Sequence, residues 1–299
     1  MTEEHGESLS AAATRAPSRL SSQRLLVTML ADYNFALAGA VPSAAIVELL
    51  GEFGISSAGA RVALSRVAKS GMLVQSRSGR KTAYSLSEHG HEAREKRLKG
   101  YLDFGAVDRE WDGRWTIVVF SIPEEDKGLR PRFRRELERL RFAPLTDAVW
   151  LQPNDCGREI ASAGAEVGVG LAVVRAEFQH TEYSRLSPVD AFDLPAVRAR
   201  YEEYLDEFGP WVERMRAGQI APNHALVLRT NVLASWSEIA RTDPDLPAEL
   251  LPEDWPRTRT RELFFELWEG LGQIALHRLR EIVGRHDNGA AQRLSVRIR

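Results

Sequence analysis

Apolar positions between residues 22 and 71 recur at the helical period. In "SQRLLVTMLADY" Leu25, Leu26, Met29 and Leu30 share one face, and in "PSAAIVELLGEFG" Ile46, Val47, Leu49 and Leu50 repeat the pattern. After a break at Gly54, Ser56 or Ser57 can cap a third helix, "SAGARVALSRVAKSG", with Ala60, Ala63, Leu64 and Val67 inward and Gly71 as its stop. The period then drops to two. "MLVQSR" and "TAYSLS" read as short strands joined through "SGRK", where Gly79 supplies the backbone freedom of a tight turn. Three helices followed by a hairpin is the order of a winged helix-turn-helix.

Farther on, "HGHEAREKRLKGYLDFG" is a charged helix leading out of this domain, with Gly100 or Gly105 near a boundary. "WTIVVFSIP" is the clearest buried strand, stopped by Pro123. "PRFRRELERLRFAPL" is a helix with Phe133, Leu137 and Leu140 at i, i+4 and i+7, and "DAVWLQP" and "VGLAVVRAEF" add two strands on either side of an Asn-Asp loop. That order predicts a small ferredoxin-like sandwich. From Pro195 the chain turns helical again, with Tyr201, Tyr204, Leu205 and Phe208 in one segment and "NHALVLRTNVLASWSEIAR" after it. "DPDLPAELLPEDWP" is a proline-punctuated connector before one long final helix carrying Leu263, Leu267, Leu271 and Ile274, and the last dozen residues read as frayed. The expected class is α+β: a disordered tail over 1–20, a winged helix-turn-helix over 21–100, a ferredoxin-like domain over 101–190 and a helical domain over 191–299.

Composition narrows the context. A chain of 299 residues has room for two or three cores, and 43% hydrophobic with 27% charged residues fits a water-soluble protein without a membrane span. The N-terminal stretch carries acids where a signal peptide needs cations. The lone cysteine, Cys156, has no internal disulfide partner, so a reducing cytoplasm is the expected location.

Charge changes the picture more. The formal net charge is -2, yet residues 53–87 carry Arg61, Arg66, Lys69, Arg77, Arg80 and Lys81 with no Asp or Glu. One concentrated basic segment in a nearly neutral chain points to a local polyanion site. On the third helix Ser57, Arg61 and Ser65 share an outward face at i, i+4 and i+8, where a recognition helix meets base edges; Arg61 has the planar fork that grips a guanine. Arg66 and Lys69 flank that face, at positions suited to phosphate. Arg77, Arg80 and Lys81 surround the hairpin tip, which suits a phosphate backbone or a narrow minor groove. Taken alone, each of these cations is ordinary surface solvation; their coincidence on one helix and hairpin favours double-stranded DNA.

The stretch from "LADYNFALAGAVPSAAIVELLGEFG" through "SGRKTAYSLSEHG", then "WDGRWTIVVFSIPE", "LRPRFRRELERLRFAPLTDAVWLQP" and the late "DPDLPAELLPEDWP", resembles the PaaX-type transcriptional regulators over about 21–283. The resemblance implies a winged-helix DNA-binding domain, a central ferredoxin-like domain similar to the small CRISPR adaptation nucleases and a helical C-terminal domain. It also implies a homodimeric repressor of aromatic-acid, phenylacetate-type catabolism genes that is released by an aryl-acyl-CoA effector such as phenylacetyl-CoA. Two positions depart from the family pattern: Arg141 and Ala148 stand where it has glycines.

The rival reading is an enzyme acting on nucleic acid or an acyl-CoA through the central or C-terminal domain. Ser121 occupies the strand end where a nuclease of this shape needs an aspartate, and Glu124, Glu125 and Asp126 follow on a turn. His89, His91, His180, His224 and His277 form no ligand cluster in sequence, and "GAEVGVG" precedes a strand, so it reads as a loop and not as a nucleotide cradle. No catalytic residue, metal or cofactor is expected. An effector site, in contrast, finds aromatic and basic groups in "DWPRTRTRELFFELW", where Trp255, Arg257, Arg259, Arg261 and Phe264 suit an aryl group on a phosphate-rich carrier.

Overall fold

The structure is a computed structural model; it describes residues 21–79, 81–106, 110–179 and 187–297. The expected tail at 1–20, Arg80 and His180 lie outside them. The chain forms two compact units. The first comprises the described parts of Met1–Phe104, Glu202–Arg241 and Thr258–Arg299, and the second Gly105–Tyr201 and Thr242–Arg257.

The first unit begins with α1 (Ser22–Asp32), capped by the Ser21 side chain, and the short α2 (Phe35–Ala38). The two-residue β1 (Val41–Pro42) leads into α3 (Ser43–Gly51) and α4 (Ser57–Lys69). β2 (Leu73–Ser78) and β3 (Lys81–Leu86) form the hairpin, and β1 adds to β3 through Val41↔Tyr84 and Pro42↔Ala83, giving a three-stranded antiparallel sheet in the order β1-β3-β2. Leu25, Leu26 and Met29 are buried with Ile46, Leu49 and Leu50 and with Ala60, Ala63, Leu64 and Val67, the apolar faces that the spacing predicts. Neither α2 nor β1 was legible in the sequence, because four and two residues carry no period.

Next comes α5 (Glu88–Asp103), whose Ser87 cap accepts from Gly90 N–H at 2.9 Å. A Cβ at Gly90 would sit 2.2 Å from the Met72 carbonyl oxygen, a backbone atom that cannot swing aside. Gly90→Ala should therefore cost about 1–3 kcal/mol, read as a lower urea midpoint at an unchanged slope.

The second unit follows a β-α-β-β-α-β order. It contains β4 (Trp115–Phe120), a 3₁₀ turn (Glu124–Leu129), α6 (Arg130–Arg139), β5 (Ala143–Thr146), β6 (Val149–Gln152), α7 (Gly157–Val167) and β7 (Leu171–Ala176). The sheet is antiparallel in the order β5-β6-β4-β7. Period-two alternation splits its core. Val118, Phe120 and Trp150 face Phe133 and Leu137 of α6 and Ile160 of α7, whereas Trp115, Ile117 and Leu151 face Phe192, of the 3₁₀ turn Pro188–Phe192, and Leu246.

Two expectations are corrected here. "GAEVGVG" is not a loop throughout, because its first half is the last turn of α7, ended by Gly168 in the left-handed region. Gly164 is a packing glycine: a Cβ there would lie 2.3 Å from Leu171 Cδ2. A fourth strand, β5, was missed because Pro144 interrupts it; proline is tolerated there because β5 is an edge strand. Arg141, just before β5, has φ 63°, a conformation that favours glycine; holding a side chain there costs roughly 1–2 kcal/mol. Its guanidinium donates to the Asp243 carbonyl at 3.0 Å. Ala148 precedes β6, and its carbonyl accepts from Phe120 N–H at 3.2 Å.

α8 (Leu194–Phe208) contributes its first half to this unit and its second half to the first unit, which α9 (Trp211–Arg216), α10 (Pro222–Thr242), α11 (Arg257–Gly270), α12 (Gly272–Gly284) and α13 (Asn288–Arg293) complete. The single long final helix expected from the sequence is two, separated at Leu271. A Cβ at Gly270 would meet Met215 Sδ at 2.4 Å, one at Gly272 would meet Arg229 Nη1 at 2.9 Å, and the Trp268 carbonyl accepts from the Arg229 guanidinium. The last dozen residues are not simply frayed. Asp287 caps α13, Ala290, Ala291 and Leu294 are buried, and Arg293 donates to the Ala38 carbonyl at 2.8 Å.

Candidate nucleic-acid interface

Ser56 accepts from Gly59 N–H at 3.2 Å, which fixes the start of α4 and hence the rotation of the whole helix. With Ala60, Ala63, Leu64 and Val67 turned into the core, Ser57, Arg61, Ser65, Arg66 and Lys69 are all exposed. Among the described residues no carboxylate lies in ion-pair range of Arg61, Arg66, Lys69, Arg77 or Lys81. Among the described residues these cations have no carboxylate to leave before meeting an anion.

The hairpin is tighter than three cations at one tip. Ser78 pairs with Lys81, so the loop is two residues long, and Gly79 takes φ 59° to close it. Arg77 pairs with Thr82, one register step back. Alternation therefore places Arg77 and Lys81 on opposite faces of the ribbon, straddling it.

One feature of the site was beyond sequence reasoning. Ser57 and Arg61 border a shallow groove with Val47, Glu48, Glu52 and Ile55. Two carboxylates beside this cationic face would repel phosphates, and arginines of the C-terminal helices engage both while also pairing with Glu281. Arg278 of α12 holds Glu52 bidentately at 2.8 and 3.0 Å, and Glu48 accepts from Arg285 at 2.7 Å with His286 Nε2 also 2.7 Å away. The partners are more than 220 residues apart, so no local pattern announces them.

The five expected effector residues are divided between the units. Trp255 meets Tyr201 edge-on at 6.0 Å with Arg198 over its ring, and its buried indole N–H has no acceptor among the described residues. Arg257 pairs with Asp243 at 2.9 Å. In the other unit Arg259 pairs with Glu202 at 2.5 Å, Arg261 donates to the carbonyls of Leu102 and Phe104, and Phe264 is wholly buried, stacked between Trp236 and Trp268.

In the acidic turn of the second unit Glu124 is held in ion pairs, with Lys127 at 3.0 Å and Arg130 at 3.9 Å, while Glu125 and Asp126 are exposed. Among the described residues no three His, Cys, Asp or Glu side chains gather as a metal site, and no helix is long and apolar enough to cross a membrane. Burial, and then Glu159, push the Cys156 thiol up to about 12, which leaves it almost entirely protonated at neutral pH.

Comparison with known proteins agrees with this layout. Residues 21–90 match the family model of PaaX-like proteins, 108–186 that of the PaaX central Cas2-like domain, and 192–280 that of the PaaX-like C-terminal domain. The chain is 25% identical over 264 residues to the transcriptional repressor PaaX of Escherichia coli strain K12, covering 86% of this chain and 82% of that protein. An uncharacterized protein from Mycobacterium tuberculosis is similar in structure at a TM-score of 0.49, with 23% identity over 80% of this chain and 89% of the other. Three models matched in order along one chain, together with a relative matched over most of its length, place it: the chain belongs to the PaaX family of transcriptional regulators.

Proposed function

We propose that this protein is a DNA-binding repressor of aromatic-acid catabolism genes of the phenylacetate type. The observation that carries this reading is the exposed face of α4, where Ser57, Arg61, Ser65, Arg66 and Lys69 stand with no carboxylate partner among the described residues, beside a ribbon bearing Arg77 and Lys81. The three-helix, three-stranded order around them supports a winged helix-turn-helix in which α4 enters the major groove and the ribbon follows the backbone. The order of strands and helices in the second unit supports a ferredoxin-like central domain without a catalytic role, since Ser121 closes β4 where a metal-dependent nuclease needs a carboxylate. We read the division at 21–100, 101–190 and 191–299 as a functional one, of reading, central and effector-responsive parts, distinct from the two compact units into which the chain packs.

A homodimer in the cytoplasm would present two α4 helices to an inverted-repeat operator. An aryl-acyl-CoA such as phenylacetyl-CoA would relieve binding. Of the residues assigned to that effector, Arg259 is exposed, Trp255, Arg257 and Arg261 are half-buried, and Phe264 would act from inside the protein.

Titration against the gene's own promoter at several salt concentrations tests the reading. The affinity should fall steeply with salt, and Arg77→Ala with Lys81→Ala should flatten the slope of log K against log[salt] by about 2, one for each phosphate that is no longer neutralised. An unchanged slope would remove the ribbon from the interface, and a protein that shows no preference for its promoter would sink the function.

A further inference from the structure

A cavity of about 440 Å³ opens within the first unit, between α1, α5, α10 and the turn joining α4 to β2. Its buried wall is apolar, made by Ala31, Leu98 and Leu233, with Val27 and Met72 half-buried beside them. Its rim is cationic. Arg97 is exposed and has no carboxylate in ion-pair range among the described residues, and Arg24 meets Glu238 at 2.5 Å, a carboxylate already shared with Arg241. Arg97 is thus the guanidinium of this rim left open to an anion from solution. Hydroxyls at Thr28 and Ser70 complete the lining.

An apolar wall under a forked cationic donor holds an organic anion with an apolar body, and the volume lies in the range of small-molecule sites. Its position is also informative. Ser70 is the residue that ends α4, where its hydroxyl donates to the Val67 carbonyl at 2.8 Å, and the Met72 carbonyl accepts from Ser87 N–H at 3.0 Å, tying the start of the ribbon to the start of α5. A ligand in the cavity would touch the end of the reading helix and the root of the ribbon on one side and Leu233 and Ser237 of α10 on the other.

We propose that this cavity is the site of a small amphipathic organic anion whose occupancy shifts α4 and the ribbon. The coupling half of the proposal rests on the DNA-binding function above; the binding half does not. It differs in place from the residues 255–264 considered for an effector.

The probe is 1-anilinonaphthalene-8-sulfonate, a sulfonate on an apolar body, titrated by fluorescence into the full-length protein. Binding should weaken at least about ten-fold in Arg97→Ala, a change at an exposed position, and should vanish in Val27→Trp, which fills the cavity. Arg135→Ala, on α6 in the other unit, should leave it unchanged. Circular dichroism and melting must match the parent in each case. Dye binding that survives both cavity variants would overturn the site.

Competition then separates two sources of the anion. Displacement by free phenylacetate marks a carboxylate at the rim, and displacement by its CoA thioester alone marks the phosphates of the carrier. Displacement by neither overturns the ligand class. Saturating dye should also lower promoter affinity at least about five-fold in the parent and not in Val27→Trp. Unchanged promoter affinity at full occupancy would overturn the coupling, while a dye-free protein that ignores its promoter would sink the DNA-binding reading and leave the cavity standing.

Discussion

Arg229→Ala is expected to lower the stability of the first unit by about 3–5 kcal/mol, a large share of the roughly 5–15 kcal/mol that a folded domain has. Arg229 of α10 and Asp32 of α1 are both wholly buried, and two parallel bonds of 2.7 and 2.8 Å join guanidinium to carboxylate. Around them Trp268 donates its indole N–H to Asp32 at 2.9 Å, the Arg229 guanidinium donates to the carbonyls of Trp268 and Arg297, and it lies 4.5 Å from the Trp268 ring. The same burial, and then Asp32, drive the Tyr33 hydroxyl above its usual range, so it stays neutral beside the pair. Removing the arginine leaves a buried carboxylate with one indole donor. Removing the aspartate is the milder change, because the cation keeps two carbonyls and an aromatic face. Arg229→Met with Asp32→Leu should recover most of the loss, since a pair replaced by apolar groups leaves no orphaned charge. Urea unfolding followed by tryptophan fluorescence checks the order: the arginine variant lowest, the aspartate variant next, the double variant near the parent. A double variant as unstable as Arg229→Ala would mean that the pair contributes by more than mutual neutralisation.

The helices and the ribbon of the reading segment were legible because each carries its own period, cap or turn over ten to fifteen residues. α1, α3 and α4 bury the residues that spacing assigns, except Val47 of α3, which is half-buried at the groove, and the two-residue loop follows from Gly79. What failed was whatever depends on partners remote in the chain. β5 needs β6 to be a strand at all, α7 was hidden by small residues that pack closely on Leu171, and the break at Leu271 answers to Met215 and Arg229 on other helices. The site divides in the same way. The exposed cations could be read from the acid-free run of 53–87, but the pairing of Glu48 with Arg285 and of Glu52 with Arg278, arginines that Glu281 shares, could not, although it bears on how positive the exposed face of α4 is.

The same contrast sets the expectation for Arg61→Ala, which should weaken operator binding by about 1–3 kcal/mol while changing binding to random DNA little. Arg61 lies one turn inside the N-terminus of α4, exposed, aligned with Ser57 and Ser65 and bordering the groove that Glu48 and Glu52 also line. A guanidinium in that place can make two parallel bonds to a guanine edge, an interaction that random sequence offers only at intervals. Conservative replacement by lysine at the two arginines separates charge from shape. Arg66→Lys should be nearly silent, because a phosphate asks only for a cation, whereas Arg61→Lys should lose most of the discrimination and keep the salt slope, because the ammonium has no planar fork. Binding isotherms on operator and scrambled duplexes at two salt concentrations read both the discrimination and the slope for each variant. If Arg61→Ala lost equal affinity on both duplexes, Arg61 would be a phosphate ligand, and sequence choice would fall to Ser57, Ser65 and the shape of the DNA itself.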